Sequence, residues 1–215
     1  MRRIVLEASS NGRTADFGSA YEGSNPSASA TPGQKSTNLR AELKPLARPS
    51  HVLVVTLGAV PPRIVGEAGT ALQDVLAIPA RPGPALERPG YAFNKDRSQY
   101  HTAAILRRLA SLRSREAPVL GIADFDLFVP DAPFVFGDAD RDAGAALYSV
   151  ARLLHADPDK LRRRAQVEAV HEVGHLLGLS HCADWRCAMF LSRDSADTDR
   201  KGPGLCGTCR GALGV

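Results

Sequence analysis

Three things are scarce in this chain: sulfur outside one short stretch, aromatic rings, and long apolar runs. No cysteine precedes Cys182, which excludes a disulfide framework laced through the fold. No apolar run is long enough to span a bilayer, so no membrane partner is expected. At the N-terminus only Ile4-Val5-Leu6 separates Arg3 from Glu7, too short for the apolar core of a secretory signal. A cytoplasmic location is the expectation. The net charge of +4 divides into +3 over residues 1–48 and +1 over the remaining 167. With aromatics at only 6%, such a neutral body makes no electrostatic or stacking case for nucleic acid. The basic run Arg162-Arg163-Arg164 reads as the solvated face of a helix.

Methionine is also scarce, with none between Met1 and Met189. The first 49 residues are rich in Ser, Ala, Gly and Asn and show neither a 2-residue nor a 3.6-residue apolar period. They read as a disordered tail. Back-translated, Gly23-Ser24-Asn25-Pro26 gives GGT-TCG-AAT-CC and Asn11-Gly12-Arg13 gives AAT-GGT-AGA, which spell the T-arm and D-loop of a typical tRNA gene. The tail thus also reads as a mis-assigned start, the true one lying at a Leu or Val between Leu39 and Val52.

The body, residues 50–215, is expected to be one α/β domain without internal repeats. Residues 51–57 are β-branched and apolar, a buried strand. Residues 64–78 carry a helical apolar period, weakened by Gly66 and Gly69. Four prolines over 79–95 suggest loop with one short strand. Ser98 is placed to cap a helix over 99–113. Residues 119–129, 134–137 and 145–153 read as strands. A helix starting at Asp157 or Asp159 is expected to run to Leu177, stopped by Gly178.

That last helix carries His171-Glu172-Val173-Gly174-His175. A spacing of four puts both imidazoles on one face, one turn apart, where a single Zn²⁺ accepts both. Glu172 lies beside them, displaced enough to miss the metal and reach the attacking water. Gly178 allows a sharp turn that brings His181 back as a third ligand, completing H-E-x-x-H-x-x-G-x-x-H. Three neutral imidazoles leave a position open, as in a catalytic zinc site. Zinc lowers the pKa of water towards about 7 and polarises a carbonyl. Glu172 is then the general base, passing the proton to the leaving amine. His101 and His155 are read as ordinary histidines, and Trp185 as a packing residue.

The four cysteines, Cys182, Cys187, Cys206 and Cys209, read as a zinc site in a chain without an export signal, with two disulfides as the alternative. Cys182 abuts His181, four residues separate it from Cys187, Met189 follows in C-x-M, and Cys206-Gly207-Thr208-Cys209 closes the set. Together with the histidine string this pattern resembles the archaemetzincin (archaelysin) family of metzincin zinc metallopeptidases. Asp126-Leu127-Phe128-Val129-Pro130 and Phe134-Val135-Phe136-Gly137 are also similar to that family. Sixteen residues separate Met189 from Cys206, about one fewer than the family pattern.

The resemblance covers about residues 50–215. It implies a metzincin-like zincin: a twisted mixed sheet, an active-site helix, and a small zinc-stapled C-terminal subdomain. It also implies a second, structural zinc on the four cysteines and Met189 as the residue under the three-histidine zinc. The expected activity is hydrolysis of a peptide or protein substrate by a monomer, the substrate adding as a strand to an edge at residues 134–137. The rival reading is a zinc-retaining peptide-binding or regulatory protein with little or no turnover. A chain shortened to residues 50–215 should fold and hold as much zinc as the full chain, measured by circular dichroism and elemental analysis. A shortened chain that fails to fold would show that the tail belongs to the domain.

Overall fold

A computed structural model of the protein describes residues 48–114 and 116–215. The expected tail, residues 1–49, lies outside the described residues except for its last two. Strand β1 (Val52–Leu57) is followed by helix α1 (Pro62–Leu76) and strand β2 (Ala80–Leu86). Then come β3 (Phe93–Asn94), β4 (Gln99–His101) and helix α2 (Thr102–Ala110). Strands β5 (Val119–Ala123), β6 (Leu127–Phe128), β7 (Gly137–Asp140) and β8 (Ala145–Ser149) follow. Helix α3 (Pro158–Leu176) and the short helices α4 (Ser195–Arg200) and α5 (Gly207–Leu213) complete the order.

The main sheet has the order β2-β1-β5-β8-β7, parallel except for β7, which is antiparallel to β8 at one edge. It is the mixed α/β sheet that the sequence leads one to expect. The pleat sends alternate side chains to opposite faces. Val52, Val54, Leu120, Ile122, Ala146 and Tyr148 join the core beneath α1 and α3. Val55, Leu57, Val119, Ala123, Ala145 and Leu147 join the core beneath α2. Central parallel strands covered on both faces are apolar throughout, and β5 and β8 are buried at every position. A second sheet, β3-β4-β6, is small. No helix among the described residues is long and apolar enough to cross a membrane.

Several elements differ from the sequence reading, each for a local reason. Residues 80–86 form a seven-residue strand despite Pro82 and Pro84, because among the described residues β2 is an edge with only β1 as partner. Ser98 does not cap a helix. It sits in a turn at φ 52°, residues 99–101 are strand, and α2 starts at Thr102. The single strand expected over 119–129 is two strands in different sheets. Between them Asp124 binds Arg88 and the Ala59 amide, and Asp126 binds Arg152 and Gln99. These carboxylates turn the chain out of the ladder.

Helix α1 ends at Ala77, exposed and left-handed at φ 51°, with its N–H returned to the Gln73 carbonyl. A Cβ in that conformation is unfavourable by about 1–2 kcal/mol. Ala77→Gly should raise stability by about 0.5–1 kcal/mol after allowing for the greater freedom of unfolded glycine. Denaturant titration of the two proteins measures this. A loss of stability would mean that the Ala77 methyl makes a contact worth more than the strain.

Candidate metal centre

Helix α3 opens with Pro158 in the first turn and Asp157 as its cap, the carboxylate accepting from the Asp159 amide. Residues 167–176 are all buried, so this half of the helix has no solvent face. It nevertheless carries Glu168, His171, Glu172 and His175. Each buried polar group there needs a partner.

For the two helical histidines the partners are carbonyls beyond the helix. His171 Nδ1 lies 2.7 Å from the Ala188 oxygen and His175 Nδ1 lies 2.9 Å from the Leu179 oxygen. A carbonyl only accepts, so both Nδ1 atoms carry the proton and both Nε2 atoms present lone pairs. Those Nε2 atoms are 3.1 Å apart. Two lone pairs facing at that distance repel unless a cation lies between them. The His181 ring centroid stands 5.3 Å from that of His171 and 4.9 Å from that of His175. The Nε2 of His181 is buried without a hydrogen-bond partner. Nitrogen ligands about 2.0–2.1 Å from a tetrahedral zinc lie roughly 3.3 Å apart. The three rings fit that ion.

The turn that returns His181 depends on Gly178. Its φ is +97°, and a Cβ there would lie 2.9 Å from the Arg141 guanidinium carbon. The Leu179 amide bonds back to the Gly174 carbonyl at 2.9 Å, closing the helix end. Gly174 makes room in turn for the fully buried Met189, whose sulfur would be 2.5 Å from a Cβ at 174.

Glu172 is buried, and its Oε1 packs on Gly137, where a Cβ would be only 2.2 Å away. Burial pushes its carboxyl well above the usual range, helped by Glu168 and Asp138 and opposed by Lys201. Gly137, Asp138 and Ala139 of β7 line the same small cleft as Glu172 and the three histidines. Among the described residues β7 pairs with β8 alone, so it is an edge beside the site. The expected edge at 134–137 is thus displaced: the strand is Gly137–Asp140, and Val135 makes only an isolated bridge to Leu127.

All four cysteines are free thiols, and their sulfurs lie within 4.8 Å of one another. Cys182 and Cys206 sulfurs are 3.6 Å apart, far from the ~2.05 Å of a disulfide. Four thiolates about 2.3 Å from a tetrahedral zinc are separated by roughly 3.8 Å, so the cluster suits that ion. The amides of Asp184 and Cys206 donate to the Cys182 and Cys187 sulfurs at 3.4 and 3.3 Å. The Cys209 amide brings the Cys206 thiol down to about 7.

The sequence reading missed a polar seam. Arg164 is buried, not solvated: it pairs with Asp199 through two 2.7 Å contacts and donates to the Leu153 carbonyl at 3.1 Å. Lys201 is 1% exposed and faces Glu168 and Glu172. The 164/168/172 spacing marks one helical face, and charge on a face otherwise apolar was the available signal for Arg164 and Glu168. Trp185, read as a packing residue, is 55% exposed.

A model of peptidase family M54 matches residues 82–214. The chain belongs to that family. Archaemetzincin from Archaeoglobus fulgidus is 33% identical over 171 residues, covering 80% of this chain and 96% of that one. Archaemetzincin from Methanopyrus kandleri is 40% identical over 121 residues, covering 56% and 69%. The M. kandleri crystal structure matches with a TM-score of 0.70 at 33% identity, covering 79% of this chain and 97% of its own. The A. fulgidus crystal structure, complexed with malonate, gives a TM-score of 0.67 at 31% identity, covering 74% and 98%. Family M54 membership and the archaemetzincin fold make the chain a zinc metallopeptidase, a hydrolase.

Burial holds all three histidines below the usual imidazole value, His181 at about 4. The folded state therefore keeps them neutral where an unfolded chain, titrating near 6.5, takes up protons. Their contribution is fully present above pH 6.5 and is lost as pH falls towards 4. Metal-stripped protein should show a melting temperature that drops over this window, with His181→Phe giving a shallower slope. Equal slopes would show that His181 does not titrate with unfolding.

Proposed function

We propose that His171, His175 and His181 hold the catalytic zinc of this peptidase and that Glu172 is its general base. The observation that carries this reading is the 3.1 Å approach of two Nε2 lone pairs whose Nδ1 protons are already committed to carbonyls. Bound there, zinc supplies Lewis acidity that polarises the scissile carbonyl and lowers the pKa of water towards about 7, together with a positive charge that favours the ionised carboxylate. Glu172 accepts the proton of the attacking water and delivers it to the departing amine. Its burial serves this role, since a desolvated carboxylate is a stronger base than one in water. The backbone of β7 offers its free edge to the substrate, a peptide or protein laid alongside as an added strand. Asp138 accepts from Thr102 at 2.6 Å.

Cys182, Cys187, Cys206 and Cys209 hold a second, structural zinc. Four thiolates close the tetrahedron and leave no position for water, so this ion stabilises and does not react. It cross-links the segment after Gly178 to itself at two points beside the histidine site, since Cys182 adjoins His181 and Cys187 adjoins Ala188.

The test combines elemental analysis with cleavage of a mixed peptide library. Wild type and Glu172→Ala should each hold two zinc ions, and His175→Ala one. Glu172→Ala should cut about 10²–10⁴-fold more slowly, the usual worth of general acid–base help. Equal products from wild type and Glu172→Ala would remove Glu172 from the reaction. One zinc per wild-type chain, with the cysteines paired as disulfides, would refute the structural site.

A further inference from the structure

Lys201 is a lysine where an uncharged residue would be expected. It lies just past α4, is 1% exposed, and has no place in the mechanism above. Its Nζ donates to the Ala188 carbonyl at 2.9 Å and to the Phe190 carbonyl at 2.6 Å. These carbonyls flank Met189. The Ala188 carbonyl is also the one that His171 Nδ1 binds at 2.7 Å. One oxygen thus receives two donors, an ammonium from one side and the imidazole N–H from the other. The ammonium charge faces Glu168 and Glu172 on α3, with Cys187 and Asp197 also near. Glu168 is buried beside Thr198 of α4, and its Oε1 has no hydrogen-bond partner.

A buried ammonium carries a desolvation cost that an apolar side chain of the same length avoids. Filling space does not account for it. What the ammonium does is hold two carbonyls from a single point. Both belong to the segment that must present one carbonyl to His171.

We propose that Lys201 is a positioning residue for the three-histidine site. Its ammonium clips residues 188–190 in place, so that the Ala188 oxygen keeps the His171 ring turned with Nε2 toward the metal. The inference rests on the proposed role of His171 as a ligand. Supports of this kind, one step behind a ligating histidine, commonly change metal affinity by about 10–100-fold.

Removing Lys201 alone strands the buried Glu168, so the informative variant is Glu168→Gln/Lys201→Met, which removes both charges. Lys201→Gln is carried in parallel as a single change that keeps a polar donor group; its uncharged amide is one atom shorter than the ammonium and carries two N–H donors. Asp199→Asn is the structural control, because it weakens the Arg164 tie to α4 and touches neither Ala188 nor Lys201. Full-length proteins are loaded with cobalt(II) and titrated with a chelator. The d–d bands at shorter visible wavelength report the three-histidine ion, and thiolate-to-cobalt charge transfer with the longer-wavelength d–d bands reports the four-cysteine ion. The double variant and Lys201→Gln should lose about 10–100-fold in affinity at the histidine site alone. Asp199→Asn should lower the melting temperature and leave that affinity unchanged. Wild-type affinity in whichever of the two Lys201 variants folds would overturn the proposal, as would an equal loss in Asp199→Asn. A wild-type protein with no histidine-type cobalt band would instead fail the ligand assignment itself.

Discussion

The constraint on which the rest of this structure depends is that α3 brings its polar half into the core. From residue 167 to 176 no position is exposed, yet that stretch holds two imidazoles and two carboxylates. Left unpartnered, each such group is unfavourable by several kcal/mol, comparable to the whole stability of a domain. The segment after Gly178 provides the partners. The carbonyls of Leu179 and Ala188 take the imidazole protons and Asp199 pairs with Arg164, while the Lys201 charge attracts the two glutamates without a direct ion pair and Glu168 Oε1 keeps no hydrogen-bond partner. The C-terminal segment is thus a polar counterpart whose geometry is dictated by one helix.

Such a segment has little to order it by itself. Its regular structure is two helices of six and seven residues, below the length at which a helix is stable alone. Its own apolar cluster comprises Leu179, Cys187, Met189 and Cys209 with a few half-buried neighbours. Two of those four are cysteines, so the cluster that packs is also the cluster that suits a thiolate-bound zinc. In small units with too little core, a metal commonly supplies the missing order.

What the sequence revealed and what it hid divide along the range of the interactions. The histidine string and Gly178 are local, and each sets geometry within one or two turns of chain; the cysteines run from Cys182 to Cys209 and are legible by residue type and the C-x-x-C pair rather than by range. Asp157 and Pro158 announce the start of α3 through caps that act within three residues. Lys201 could not be read this way. Its carbonyl partners are 11 and 13 residues away in the chain, and nothing near it signals burial. Arg164 misled for a related reason: three consecutive arginines look solvated, but a helix turns 100° per residue, and the third reaches Asp199 across the seam.

The edge strand shows why the pattern at 134–137 pointed to the wrong residues. Phe134-Val135-Phe136 has the composition of a strand, whereas Gly137-Asp138-Ala139-Asp140 has low strand propensity throughout. The strand forms at the second stretch because its pairing with β8 is fixed, Gly137 opposite Tyr148 and Asp140 opposite Ala145. Its composition answers to the site. Glycine stands at 137 because the Glu172 carboxylate occupies the space of a side chain. Asp138 reaches inward to Thr102, a polar contact where a core strand would place a valine. A strand passing this close to a buried carboxylate cannot be built from the bulky residues that mark strands in a sequence. The edge strand therefore lies where propensity is lowest, because there the backbone must approach Glu172.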